Sequence, residues 1–126
     1  MPRLNAEQYV RSYLERELTD VMVRVSVPDP MPRRIVIVKR AAGRRIDALR
    51  ESVGIHLSIY GGSEWETSEL AAEVGDLMYA LNRSNDAMLG GISRVREEAL
   101  RSDPDDQTQP NRARWFASYT ITTHRY

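Results

Sequence analysis

Apolar and polar positions recur along the chain with two different periods, and the switches between them divide it into elements. Near the start, Tyr9, Val10, Tyr13, Leu14 and Leu18 fall at helical spacing, which predicts an amphipathic helix over 5–19. Asn5 followed by Gln8 fits a capping box at its first turn. The period changes at Thr19-Asp20. Val21, Val23, Val25 and Val27 then alternate with Met22, Arg24 and Ser26, the pattern of a strand over 21–27 with one buried face. Pro28-Asp29-Pro30-Met31-Pro32 ends it, because proline gives no ladder donor and pushes its predecessor to extended geometry.

Ile35-Val36-Ile37-Val38 opens a strand over 34–40 whose consecutive β-branched residues imply cover on both faces, hence a central place in the sheet. Ala41-Ala42-Gly43 reads as a turn, with 44–48 returning as a short hairpin partner. Val53, Ile55, Leu57 and Ile59 alternate in a strand over 53–60, and Gly61-Gly62 breaks it. A longer helix over 63–82 follows. Ser63 and Glu66 form its capping box, and Leu70, Ala71, Val74, Leu77, Met78 and Leu81 form its apolar stripe. After the Gly90-Gly91 turn, 92–100 fits an exposed strand or a short helix, with the strand favoured. The Asp-, Gln- and Pro-rich stretch 102–111 reads as a mobile loop, and Trp115, Ala117, Tyr119 and Ile121 alternate in a final strand over 113–124. The expected architecture is a single α+β domain spanning 1–126: a largely antiparallel, twisted sheet of five to six strands with two helices packed on it.

Composition narrows the functional classes. The chain has 126 residues, enough for one core, and 18 basic residues balance 18 acidic ones, so no general attraction to nucleic acid or membrane follows. Arginine supplies 17 of the basic residues against the single Lys39, the bias of a GC-rich coding sequence and also of bidentate pairing at protein interfaces. Cysteine is absent, which removes disulfides and thiolate metal sites. No apolar run reaches the roughly 20 residues of a membrane helix, and Met1-Pro2-Arg3-Leu4-Asn5 lacks the apolar stretch of a signal peptide, so an intracellular product is expected.

Candidate chemistry is thin. Gly61-Gly62-Ser63-Glu64-Trp65 approaches the G-x-S-x-G nucleophile elbow, but Trp65 stands where a small residue is needed and Ser63 already serves as a helix cap. Asp103, Asp105 and Asp106 resemble the start of a calcium loop, yet Thr108 and Arg114 occupy the positions an EF-hand reserves for glycine and a bidentate glutamate. His56 and His124 each lie on the polar register of a strand, as surface residues do more often than metal ligands. No phosphate-cradling glycine loop occurs. Neither an enzyme nor a cofactor is expected. Two arginine groups remain, Arg40, Arg44 and Arg45 around Gly43 and Arg94, Arg96 and Arg101 along the fifth strand. Without interleaved aromatic residues for stacking bases, they read as solvated faces or, together with Asp103, Asp105 and Asp106, as a candidate subunit or tube interface.

The whole layout is familiar: an N-terminal helix, a strand ending in Val27-Pro28-Asp29-Pro30-Met31-Pro32, and an apolar strand ending Val38-Lys39-Arg40. Val53-Gly54-Ile55-His56-Leu57-Ser58-Ile59-Tyr60-Gly61 then leads into a Glu-, Ala- and Leu-rich helix. Gly90-Gly91, Asp103-Pro104-Asp105 and Arg114-Trp115-Phe116-Ala117 follow. This order resembles the tail terminator (tail completion) proteins of long-tailed siphovirus bacteriophages, particularly those of actinobacterial hosts, and the arginine bias agrees with such an origin. The resemblance implies a subunit of a ring, expected to be a hexamer, at the neck of the virion. It would assemble in the host cytoplasm, cap the tail tube, stop its polymerisation and offer a surface to the head-completion proteins. Genomic DNA would pass through its lumen without sequence-specific contact. The nearest alternatives are another head–tail neck adaptor and a small non-viral protein-binding module.

Overall fold

The computed structural model describes residues 5–83, 92–104 and 112–124, with the side chains of Arg83, Ser93 and His124 excepted. In chain order the elements are α1 (Ala6–Glu17), β1 (Met22–Arg24), β2 (Ile35–Arg45), β3 (Arg50–Tyr60), α2 (Glu64–Ala80) with a 3₁₀ turn at Leu81–Arg83, β4 (Ile92–Ser102) and β5 (Trp115–His124). They form an α+β fold with one five-stranded sheet in the order β1-β2-β3-β5-β4. The β1–β2 pair is parallel and the others are antiparallel.

Both helices lie on one face of this sheet. Ala6, Val10, Leu14 and Leu18 from the first helical segment and Leu70, Ala71, Val74 and Met78 from α2 share one core. From the sheet come Val36 and Val38, the buried register of β3 (Val53, Ile55, Leu57, Ile59), and Ala117, Tyr119 and Ile121 of β5. The helices are tied to each other where the Tyr13 hydroxyl donates to the Leu77 carbonyl at 2.6 Å. Ile35 and Ile37 point to the opposite face, where Tyr60, Met22 and Met31 cover them. The loop between β1 and β2 therefore supplies the second cover expected of four successive β-branched residues. Arg112 pins that loop, its guanidinium donating to the carbonyls of Pro32 and Arg33 at 2.9 Å each and lying 4.8 Å over the Tyr60 ring.

Three sequence expectations are corrected. The strand expected over 21–27 is only Met22–Arg24, because the chain leaves the sheet edge to cross to the other face. The separate strands expected over 34–40 and 44–48, with a turn at Ala41-Ala42-Gly43, are one continuous strand, β2. Ala41 and Ala42 form a bulge opposite Gly54, where a side chain would lie only 3.2 Å from the Ala42 carbonyl oxygen; glycine leaves the space. The turn falls instead at Asp47, whose carboxylate accepts from the amides of Leu49 (2.9 Å) and Arg50 (2.8 Å), an Asx turn. Finally, β4 continues through Ser102, where a loop was expected; 105–111 and the Gly90-Gly91 turn lie outside the described residues.

Helix caps follow the sequence in part. Asn5 accepts from the Gln8 amide at 3.1 Å, but the Gln8 side chain accepts from Arg11 instead of reaching back, so only half of that box forms. Ser63 accepts from the Glu66 amide at 3.1 Å, and the Glu66 carboxylate is gripped by both guanidinium nitrogens of Arg33 at 2.8 and 3.0 Å. Hydrogen bonding from Arg33 first, and from Ser63 next, holds the Glu66 carboxyl below the usual range.

Where β3 passes into α2, backbone meets backbone. A Cβ on Gly61 would sit 2.8 Å from the Glu66 carbonyl oxygen and 2.8 Å from the Thr67 Cα. Gly61→Ala is therefore expected to lower stability by about 2–3 kcal/mol through forced displacement of the first turn of α2, read as a fall in the urea midpoint at unchanged slope.

Tyr119 gives a second prediction. Its hydroxyl donates to Glu97 at 2.9 Å, and burial first, then that carboxylate, pushes the phenol far above its ordinary range. The unfolded phenol ionises near pH 10 while the folded one stays neutral, so this group stabilises the fold fully below about pH 10 and loses its contribution as pH rises beyond. Tyr119→Phe is expected to cost about 1–2 kcal/mol near neutrality and to flatten the decline in stability between about pH 10 and 11. Tyr13, also raised by burial, leaves some slope in the variant. Denaturant melts across alkaline pH check both points.

Candidate interaction surface

Strand alternation sends one register of the sheet to the helices and the other to the face they leave open. On that open face β3 carries Ser52, Gly54, His56 and Ser58, and β5 carries Phe116, Ser118, Thr120 and Thr122. Pairing across four strands sets Arg44, Ser52, Thr122 and Arg94 in one row, and Lys39, His56, Ser118 and Ala99 in another. Arg44, Arg94 and Arg96 thus meet around a shallow hollow of about 200 Å³ floored by Ser52, Thr120 and Thr122. Further along, Arg101 lies 4.8 Å over the Phe116 ring, and His56 meets the edge of the same ring at 5.1 Å.

The structure therefore brings together part of what the sequence grouped. Arg44, Arg94, Arg96 and Arg101 share the open face. Arg40 is on the helix side, where its guanidinium pairs with the buried Glu51 at 3.0 Å and its amide donates to Glu7 of α1 at 2.7 Å. Arg45 is in register with Glu51 on that side. The two groups read as clusters around a turn and along a strand are thus redistributed by the alternation of β2 across its bulge. Asp103 is engaged with Arg114, which bonds its carboxylate at 3.1 Å and its carbonyl at 2.8 Å, at the end of the β4–β5 pair where the connecting loop leaves it. Asp105 and Asp106 lie outside the described residues.

The acidic counterpart that sequence reading missed is α2. It carries Glu64, Glu66, Glu69, Glu73 and Asp76 and no basic residue, and on its outer side Trp65 is 70% and Tyr79 61% exposed. Its helical period and its uniform charge sign are both readable in the sequence. Among the described residues, Lys39, Arg44 and Arg94 on the sheet, and Glu69 and Glu73 on the helix, enter no ion pair; Arg96 is matched by Glu98 at 2.7 Å. The chain, neutral as a whole, presents a cationic open sheet face and, on the other side of its core, a helix whose charged residues are all acidic.

Catalytic geometry is sparse by comparison. Ser63 spends its hydroxyl on the cap and on a 3.0 Å bond to Glu66. A groove of about 380 Å³ between α2 and β4 is lined by Asp76, Glu97 and the Tyr119 phenol among apolar side chains. Among the described residues no group of three or more side chains is placed to hold a metal ion, and no helix is long and apolar enough to cross a membrane. No family model matches this sequence, and no curated protein matches it significantly. What fold and surface define is an α+β protein whose distinctive feature is a charged, open sheet face.

Because Arg44 and Arg94 enter no ion pair among the described residues, Arg44→Glu and Arg94→Glu are each expected to change stability by less than about 0.5 kcal/mol. Arg40→Ala, which removes the ion pair to the buried Glu51, is expected to cost about 1–2 kcal/mol; chemical denaturation of the three variants side by side checks the contrast.

Proposed function

We propose that this chain is a ring-forming subunit of a virion neck, a tail terminator that caps the tail tube of a long-tailed phage and presents a surface to head-completion proteins. The observation that carries the reading is the β2–β3 hairpin. From Lys39 through Arg50 nearly every residue is exposed, and the turn holds two large apolar side chains in solvent, Ile46 at 42% and Leu49 at 62%. An apolar hairpin tip with cationic flanks, held at the end of a sheet in which β3 stays paired to β5 out to Arg50, is suited to docking on a neighbouring subunit or tube end, where tip burial supplies affinity and charge sets register. The element order along the chain, which resembles that of tail terminators, supports the same assignment. In this mechanism a repeated head-to-tail contact closes the ring, one rim accepts the last tube ring, and the other rim refuses further tube subunits.

The test is direct. Purified protein is mixed with tail tubes from a related phage lacking its own terminator, and tube ends are imaged by negative stain. Density capping one end, with tubes held at uniform length and able to join heads, is the expected result, and Leu49→Asp is expected to abolish capping with stability changed by less than about 0.5 kcal/mol. Tubes that keep growing uncapped, where a known terminator caps them, would remove the assignment in favour of a neck adaptor or a non-viral binding module.

A further inference from the structure

We infer that the open face of the sheet is the docking surface for the outer face of α2 on a second copy of the chain, a contact that rests on the ring reading above and gives it its two faces. Lys39, Arg44, Arg94, Arg96 and Arg101 stand on one side of the molecule with Glu98 as their acidic neighbour, and α2 opposes them with acidic residues alone. Among the described residues Lys39, Arg44, Arg94, Glu69 and Glu73 enter no ion pair, although the chain holds equal numbers of both signs. Placing the two surfaces together matches a cationic patch to an anionic one and suppresses the like-with-like approaches.

Dimensions agree. Trp65, Glu69, Ala72, Asp76 and Tyr79 follow at i+3 and i+4 steps, a single stripe along α2 of about 21 Å. Arg94, Arg96 and Arg101 run along β4 over about 23 Å, with the Phe116 and His56 rings beside them. The exposed aromatic residues at the two ends of the helix stripe are the residue types that carry binding energy at protein interfaces, and the sheet offers cations and rings to receive them. The two surfaces lie on opposite sides of the core, so a copy that docks by one leaves the other free. That is a heterologous contact, which repeats from copy to copy and makes a ring where the rotation per copy closes, an open filament where it does not.

Two variants test it: Arg94→Glu with Arg101→Glu on the sheet, and Glu69→Arg with Glu73→Arg on the helix. Sedimentation equilibrium up to millimolar concentration is expected to show association of the wild-type chain that weakens with added salt. Each variant alone should associate at least about tenfold more weakly. An equimolar mixture of the two should recover association, since each variant's altered face then meets its complement. The chain carrying all four changes should associate with itself again. Circular dichroism confirms that each variant is folded.

A wild-type chain that stays monomeric throughout overturns the inference. So does association that persists unchanged in both variants; if the wild type and both variants also cap tubes, the ring reading stands and its contact lies elsewhere. Complementation of the two variants without tube capping keeps the contact and removes the terminator assignment. An oligothymidylate that binds the monomeric wild type but not the sheet variant would assign the open face to single-stranded nucleic acid instead.

Discussion

A single layer of two helices covers only one face of a five-stranded sheet, and most of the molecule follows from that asymmetry. β3 is the reference element, hydrogen-bonded to β2 on one side and β5 on the other. Its alternating register puts Val53, Ile55, Leu57 and Ile59 under the helices and Ser52, His56 and Ser58 on the far side. Shifting that register by one residue would exchange the two sets and expose the core. The pairing of β2 and β5 to β3 then fixes which of their side chains can be apolar. Among the described residues the second face acquires a cover at one corner, where Met22 and Met31 close over Ile35, Ile37 and Tyr60.

The remainder of that second face has to tolerate water, and it does so with serine, threonine and cations. Threonine is well suited because its β-branched side chain favours the extended backbone while its hydroxyl stays hydrated. Polar residues would be sufficient for solubility, so the concentration of unpaired arginine there needs a separate cause. Pairing with α2 of the same chain is geometrically barred, since a sheet and a helical layer stand between the two faces at about 10 Å or more, a full Debye length at physiological salt. Charges arranged in this way interact weakly within the molecule and strongly with whatever approaches from outside.

Much of the fold was legible because the periods of two and 3.6 are imposed by the backbone itself. Both helices, the alternation of β3 and β5, and the second cover over Ile35–Val38 can be read directly. The hairpin turn could not be placed, because Ala41-Ala42-Gly43 looks like a turn until Gly54 is known to sit opposite it. The compatibility of that bulge is a property of the pair, not of either segment. Asp47, the residue that makes the real turn, gives only the general signal of an Asx residue. Half of the first capping box failed for a comparable reason: Arg11, one turn along, competes for Gln8. The surface was legible only in fragments. Arg40 and Arg44 are four apart in sequence, yet the bulge turns Arg40 to Glu51 and leaves Arg44 on the open face. Arg44 and Arg94 fifty residues apart become members of one row only through the registers of three strand pairs.

Affinity and orientation fall to different residues in the proposed contact. Exposed ion pairs each contribute about 0–1 kcal/mol and fade with salt, so the arginines and glutamates alone would give a weak, reversible encounter. Burying a large aromatic side chain contributes about 1.5–3 kcal/mol, which makes Trp65 and Tyr79 the larger energetic resource. Charge nevertheless decides which face meets which, because a sheet face approaching another sheet face opposes cation to cation. A subunit built this way would remain dispersed while dilute and join in one orientation when a template raises its local concentration. That behaviour matches what termination of a growing tube demands: assembly on the finished end, rather than in solution ahead of it.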